Sequence, residues 1–247
     1  MSIPEALLEQ SIQINIQQAL QEDIGDADIT ALLTPEDEQA TATIISREDM
    51  VLAGQPWVNA LIKAYDPTVK ITWLKNDGDV VKANETIYQL AGSARSLLTV
   101  ERPALNFVQT LSAVATKTAA YVKYLEGTAT KLLDTRKTLP GLRIAQKYAV
   151  KITSWQQVEL HRRSPKHVKS HPTSPLNEVE TWDELNQALE AQADIVMLDN
   201  FSQQQMIDAV KHVAGRCKLE ASGNITLETL TEVAQTGVDL YFNGCLN

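Results

Sequence analysis

The second half of the chain repeats one short pattern. "IVMLDN" at residue 195, "KLEASGN" at 218 and "VDLYFNG" at 238 are apolar runs closed by polar residues, and "KLLDTR" at 131 and "EVET" at 178 share the form. From 178 onward the starts lie roughly twenty residues apart, room for one strand and one helix in each repeat. Repeated βα units pair their strands in parallel, so the sequence predicts a parallel sheet, open or closed into a barrel. No other feature restricts the fold as much.

The first half has a different rhythm. Leu8, Ile12, Ile16 and Leu20 recur every fourth position and predict an opening helix. "TATIISREDMVLA" reads as strand and "GQPWVNALIKAY" as helix. "VKITWLKNDGDVV" and "ETIYQLAG" read as two arms about the turn dipeptide Asp77-Gly78. Two successive helices are expected from Ser96 to Glu126. Antiparallel strands mixed with helices make this an α+β module distinct from the repeats. The fold class is therefore α/β.

At 247 residues, 44% hydrophobic and 21% charged, the chain has ample material for a core. A net charge of −9 argues against nucleic-acid binding, which needs a basic face. No apolar stretch reaches the length that spans a bilayer, and "MSIPEALLEQ" lacks a basic-then-apolar leader, so the cytoplasm is the expected compartment. Cys217 and Cys245 lack metal-ligand spacing and read as core thiols. Neither a G-x-x-x-x-G-K-[ST] loop nor a G-x-G-x-x-G fingerprint occurs. No Asp-Asp pair occurs either.

The polar residues gather at the carboxyl ends of the predicted strands: Arg136 and Lys137, Glu178 and Glu180, Asp199 and Asn200, Ser222 and Asn224. On a βα sheet that end carries the active site, because the βα loops converge there. Glu178 and Asp199 end successive strands, and two converging carboxylates suit Mg²⁺. The plainer alternative is a pair of acids at helix N-termini. Ser222, Gly223 and Asn224 form a strand-to-helix turn where a phosphate could approach the backbone, although Ser-Gly-Asn is also a common turn. Gly244 has the same double reading.

Six ordered blocks, "ALQEDIGDADIT", "ERPALNFVQTLSAVAT", "LLDTRKTLPGLRIAQKYAVK", "NEVETWDEL", "ADIVMLDNFS" and "KLEASGNITLETL", resemble quinolinate phosphoribosyltransferase, also called nicotinate-nucleotide pyrophosphorylase (carboxylating). The resemblance runs from Ala19 to Lys151 and from Pro175 to Gly244. It implies an N-terminal α/β sandwich over residues 1–112 and an incomplete, seven-stranded type of βα barrel over 113–247. It also implies a homodimer. The implied reaction joins quinolinate to phosphoribosyl pyrophosphate, giving nicotinate mononucleotide, pyrophosphate and CO₂ in NAD biosynthesis, with Mg²⁺ as cofactor. On the same resemblance Thr135, Arg136 and Lys137 meet the substrate dianion, with Arg102 contributed by a second copy. Glu178 and Asp199 would hold Mg²⁺ and ribose hydroxyls, with Lys137 beside them in catalysis. Ser222, Gly223, Asn224 and Gly244 would line the phosphate site.

The chain departs from the family pattern in two places. After Lys151 the family continues with a glycine-rich turn, an Asn-His-Arg segment and a strand bearing Lys. Here "ITSWQQVELHRRSPKHVKSHPTSPLN" follows, holding His161, His167 and His171 among Arg162, Arg163, Lys166 and Lys169. "GVDLYFNGCLN" also stops where the family runs on through a further helix and strand. Two alternatives therefore stand beside the transferase: a catalytically impaired homologue or damaged-gene product, and a molybdenum-uptake-associated relative of the same fold.

Overall fold

A computed structural model describes residues 3–24, 31–153, 158–159, 178–223 and 225–242. The chain divides into two compact units, one made of Met1–Ala119 with Thr138–Thr153, the other of Ala120–Lys137 with Ser154–Asn247.

The first unit holds α1 (Glu5–Ile24), β1 (Gln39–Ile45), β2 (Met50–Val51), α2 (Gln55–Tyr65), β3 (Lys70–Trp73), β4 (Val80–Val81) and β5 (Thr86–Ser93). The greater part of α3 (Ala94–Tyr124) and all of α4 (Arg143–Thr153) complete it. β1, β5 and β3 form an antiparallel sheet in that order, and β2 pairs with β4 as a short ribbon. The predicted arms thus pair as β3 with β5. Asp77, in the turn between them, serves as a tie. Its carboxylate accepts the Gly54 and Gln55 N–H groups at the start of α2, each at 3.2 Å, and the Tyr148 hydroxyl of α4 at 2.6 Å. Hydroxyls of α3 take donors of β2 and the residues just after it: Val51 N–H reaches Thr116 Oγ1 at 2.9 Å and Ala53 N–H reaches Ser112 Oγ at 3.0 Å. An edge that would otherwise bury unsatisfied amides is closed this way.

α3 is one helix where the sequence suggests two. Val100, Ala104, Val108, Leu111 and Ala115 are buried along one continuous face. That burial outweighs the cost of Pro103 inside the helix, about 3 kcal/mol for a lost hydrogen bond and a carbonyl clash.

The stripe on α1 buries Ile12 and Ile16, and between them it also buries a polar side chain, Asn15. Asn15 Oδ1 accepts the indole N–H of Trp57 at 3.1 Å, and its Nδ2 donates to Gly141 O at 3.1 Å. One amide therefore joins α1, α2 and the Pro140-Gly141 turn. Gln146, also buried, holds the same turn from α4 by accepting the Leu139 N–H at 2.7 Å.

The second unit contains the βα repeats: β6 (Lys131–Leu133), β7 (Val158–Glu159), β8 (Glu178–Val179), α5 (Trp182–Glu190), β9 (Ile195–Asp199), α6 (Gln203–Val213), β10 (Lys218–Ser222), α7 (Leu227–Gln235) and β11 (Leu240–Phe242). All five strands read from the sequence form. With β7 they make one parallel sheet in the order β7-β6-β11-β10-β9-β8. Among the described residues the sheet has six strands, with β7 and β8 at its edges.

Helix starts are specified locally. Thr181 with Glu184 and Ser202 with Gln205 form capping boxes on α5 and α6, each satisfying otherwise orphaned N–H groups. Val179, Val196, Leu198, Leu219 and Ala221 pack with Leu185 and Ala188 of α5 and with Met206, Ala209 and Val213 of α6. This is the helix-covered face of the sheet.

Replacing Asn15 by Ala should lower stability by about 2–4 kcal/mol, because the Trp57 indole and the Gly141 carbonyl lose buried partners together. Urea melts of Asn15→Ala and of Asn15→Ala with Trp57→Phe test this. The double variant should recover part of the loss, since it removes one orphaned donor. Additive losses would mean that the Asn15–Trp57 bond contributes little.

Candidate functional site

Side chains alternate across a strand, so the residues between those packed on the helices face the other way. On β8, β9 and β10 these are Glu178, Met197, Asp199, Glu220 and Ser222. The register agrees: Glu178 lies beside Met197, Met197 beside Glu220, and Asp199 beside Ser222. One sheet face therefore carries three carboxylates and a hydroxyl near the carboxyl ends of three adjacent strands.

The Glu178 and Asp199 side chains lie close enough to interact directly. Burial, then the charges of Asp199 and Glu180, raise the Glu178 carboxyl above its ordinary range. Asp199 also accepts Asn200 Nδ2 at 3.0 Å. Asn200 itself adopts a left-handed conformation, φ 55°, which Asn tolerates better than most residues.

The next turn depends on glycine. Gly223 has φ 110°, and a Cβ there would lie 2.6 Å from Asn200 Oδ1 and 3.0 Å from Asn200 N. Asn200 N–H donates to Ser222 O at 3.3 Å, binding the ends of β9 and β10 together. Nearby, Asn200, Phe201, Ser222 and Ile225 help line a cavity of about 310 Å³.

Glu220 went unnoticed in the sequence reading. It is only 5% exposed, and its Oε1 has no hydrogen-bond partner among the described residues. Burial and the nearby charge of Glu178 push its carboxyl up to about 7. The sequence did carry a signal: one acid between the apolar Leu219 and Ala221.

At the end of β6, Asp134 and Thr135 are fully buried while Arg136 and Lys137 are exposed. Thr135 Oγ1 accepts the Lys137 N–H at 3.1 Å, a local turn that sets the chain direction at the two cations. The strands are parallel, so these cations leave the sheet at the same end as Asp199 and Ser222. Arg102 is exposed on α3, in the first unit. Asn224 and Gly244 lie outside the described residues, as do His161, His167, His171 and the basic residues among them. The structure thus brings together Glu178, Asp199, Asn200, Ser222 and Gly223 from the sequence expectation and adds Glu220.

Carboxylates and a glycine turn gather at the strand ends of a parallel βα sheet, the end where such sheets place their ligand sites. The model of the quinolinate phosphoribosyl transferase N-terminal domain matches residues 28–112, and that of the C-terminal domain matches 114–164 and 155–247. The chain belongs to the quinolinate phosphoribosyltransferase family. It is 35% identical to the "probable nicotinate-nucleotide pyrophosphorylase (carboxylating)" of Synechocystis sp., over 91% of this chain and 84% of that protein. The Bacillus subtilis protein of the same description is 32% identical over 91% of this chain and 85% of its own length. The solved nicotinate-nucleotide pyrophosphorylase of Francisella tularensis superposes with a TM-score of 0.88 at 39% identity, covering 99% of this chain and 93% of that one.

Two outcomes are expected from this geometry. Gly223→Ala should cost about 2 kcal/mol or more in a thermal or urea melt, since it combines a disfavoured φ with a backbone clash. Glu220 is neutral in the fold at pH values where it would ionise in the unfolded chain. Its contribution to stability is therefore fully present below about pH 4.5 and lost as pH rises to about 7. The change is on the order of 3 kcal/mol. The stability difference between Glu220→Gln and the unaltered protein should grow across that window; a difference independent of pH would contradict the assignment.

Proposed function

We propose that this chain transfers the phosphoribosyl group of phosphoribosyl pyrophosphate to the ring nitrogen of quinolinate. The bond from C1 of the ribose to pyrophosphate breaks and the bond from C1 to nitrogen forms. The carboxylate beside that nitrogen leaves as CO₂, and a proton from solvent takes its place on the ring. The products are nicotinate mononucleotide, pyrophosphate and CO₂, a step of NAD biosynthesis. Beyond family membership, the observation that carries this reading is the contact between Glu178 and Asp199 beside the Ser222-Gly223 turn.

Each group has work suited to its chemistry. Arg136, exposed and with a planar donor fork, suits a carboxylate of quinolinate. Lys137 adds a second positive charge beside it. Arg102, from a second copy of the chain, would complete the dianion site in a homodimer. Positive charge grows on C1 as pyrophosphate departs, and the carboxylates of Glu178 and Asp199 lower its energy. The turn at Gly223 leaves the backbone open to a phosphate.

Among the described residues no group of three or more His, Cys, Asp or Glu side chains is placed to hold a metal ion. Two touching carboxylates nevertheless fit Mg²⁺, which takes its remaining positions from water and substrate phosphate. Glu178 and Asp199 would hold it, and when bound it supplies neutralising charge for the departing pyrophosphate. A cytoplasmic location follows from the proposal, since both substrates are multiply charged and cross membranes poorly. Among the described residues no helix is long and apolar enough to cross a membrane. The names of the relatives favour the transferase over an impaired homologue.

The purified chain with quinolinate, phosphoribosyl pyrophosphate and MgCl₂ should form nicotinate mononucleotide and pyrophosphate in equal amounts, and chelation of Mg²⁺ should stop the reaction. Arg136→Ala should raise the KM for quinolinate roughly tenfold to a hundredfold, the loss of one charge-assisted contact. An unchanged KM would remove Arg136 from the dianion site. A folded chain that forms no product would remove the activity itself.

A further inference from the structure

Glu220 stands out among the buried polar groups. It lies at mid-strand on β10, is 5% exposed, and its Oε1 lacks a hydrogen-bond partner among the described residues. A carboxyl oxygen left this way costs free energy comparable to a lost hydrogen bond. Leu219 and Ala221 on either side pack against the helices, so Glu220 projects from the opposite face. Met197 is its neighbour in register, with Glu178 one strand further and Ser222 two residues along on the same face. The unbonded oxygen is therefore on the sheet face that carries the proposed site.

The substrates narrow what Glu220 can accept. Quinolinate offers carboxylate oxygens and a ring nitrogen, all acceptors that an ionised Glu220 carboxylate cannot pair with. Pyrophosphate and the 5-phosphate likewise present anionic oxygens, which a buried carboxyl repels. The hydroxyls of the ribose are the donors. Among the described residues Glu178, Asp199 and Glu220 do not form a three-ligand metal group. We propose that Glu220 is a further ligand-binding residue of this site, accepting a hydrogen bond from a ribose hydroxyl of the phosphoribosyl group. The inference rests on the phosphoribosyl-transfer reading above.

Two variants test it. Glu220→Gln keeps the shape, and Glu220→Leu removes the orphaned oxygen in favour of an apolar side chain of similar length. Calorimetric titration of the full chain uses two probes: nicotinate mononucleotide, which carries the ribose, and quinolinate, which does not. Both variants should fold, with Glu220→Leu melting no lower than the unaltered protein. Affinity of Glu220→Leu for nicotinate mononucleotide should fall roughly tenfold to a hundredfold, with a smaller fall for Glu220→Gln. Affinity for quinolinate should change by less than about twofold. If the unaltered chain binds both probes and the variants bind nicotinate mononucleotide equally well, the role of Glu220 is wrong and the transferase reading stands. Equal weakening for both probes, or failure of both variants to fold, makes Glu220 structural and overturns the inference. An unaltered chain that binds neither probe overturns the transferase reading together with this one.

Discussion

The two faces of the parallel sheet set the terms for everything else in the second unit. Val179, Val196, Leu198, Leu219 and Ala221 face α5 and α6, and this packing fixes the side of the strand on which each remaining residue emerges. A one-residue slip of any strand would exchange the faces, burying carboxylates under helices and exposing the apolar set. The core thus enforces the register, and the register gathers Glu178, Asp199, Glu220 and Ser222 on one side. Stability and site are consequences of the same alternation.

That arrangement is electrostatically unfavourable without a ligand. Burial and nearby carboxylates raise both acids: Asp199 and Glu180 act on Glu178, and Glu178 acts on Glu220. A fold optimised for stability alone would not place three acids on one face of a small sheet. Perturbed acids of this kind concentrate where a protein binds cations or donor groups. Local backbone geometry joins in: the left-handed Asn200 and the wide-open φ of Gly223 lie against one another, and a side chain at 223 would strike Asn200. The first unit uses a similar economy, with Asn15 and Gln146 holding the turn that follows the two cations.

Much of this was legible in the sequence. The spacing of apolar runs located every strand read from it in the second unit, because parallel strands covered by helices are short, apolar and regularly punctuated. Strand-end polarity also singled out Glu178, Asp199 and Ser222, which the register places on one sheet face. Glu220 escaped because a lone acid inside an apolar strand carries no spacing signal, and its face is known only once the register is. Asn15 escaped because helical periodicity marks a buried stripe without saying that one of its members is polar. The helix expected to break in two did not, since burial along α3 is continuous across Pro103. Asn224, Gly244 and the histidine-bearing stretch lie outside the described residues.

The central claim is that substrate and metal meet on the sheet face opposite α5 and α6. Diffraction from crystals grown with nicotinate mononucleotide, pyrophosphate and Mn²⁺ in place of Mg²⁺ would test it most directly, because anomalous scattering locates the metal independently of the protein. The account predicts a metal peak between Glu178 and Asp199, with the ribose over the same sheet face and its phosphate at the Ser222-Gly223 turn. A metal held by other residues, or a nucleotide bound on the helix-covered side, would contradict it.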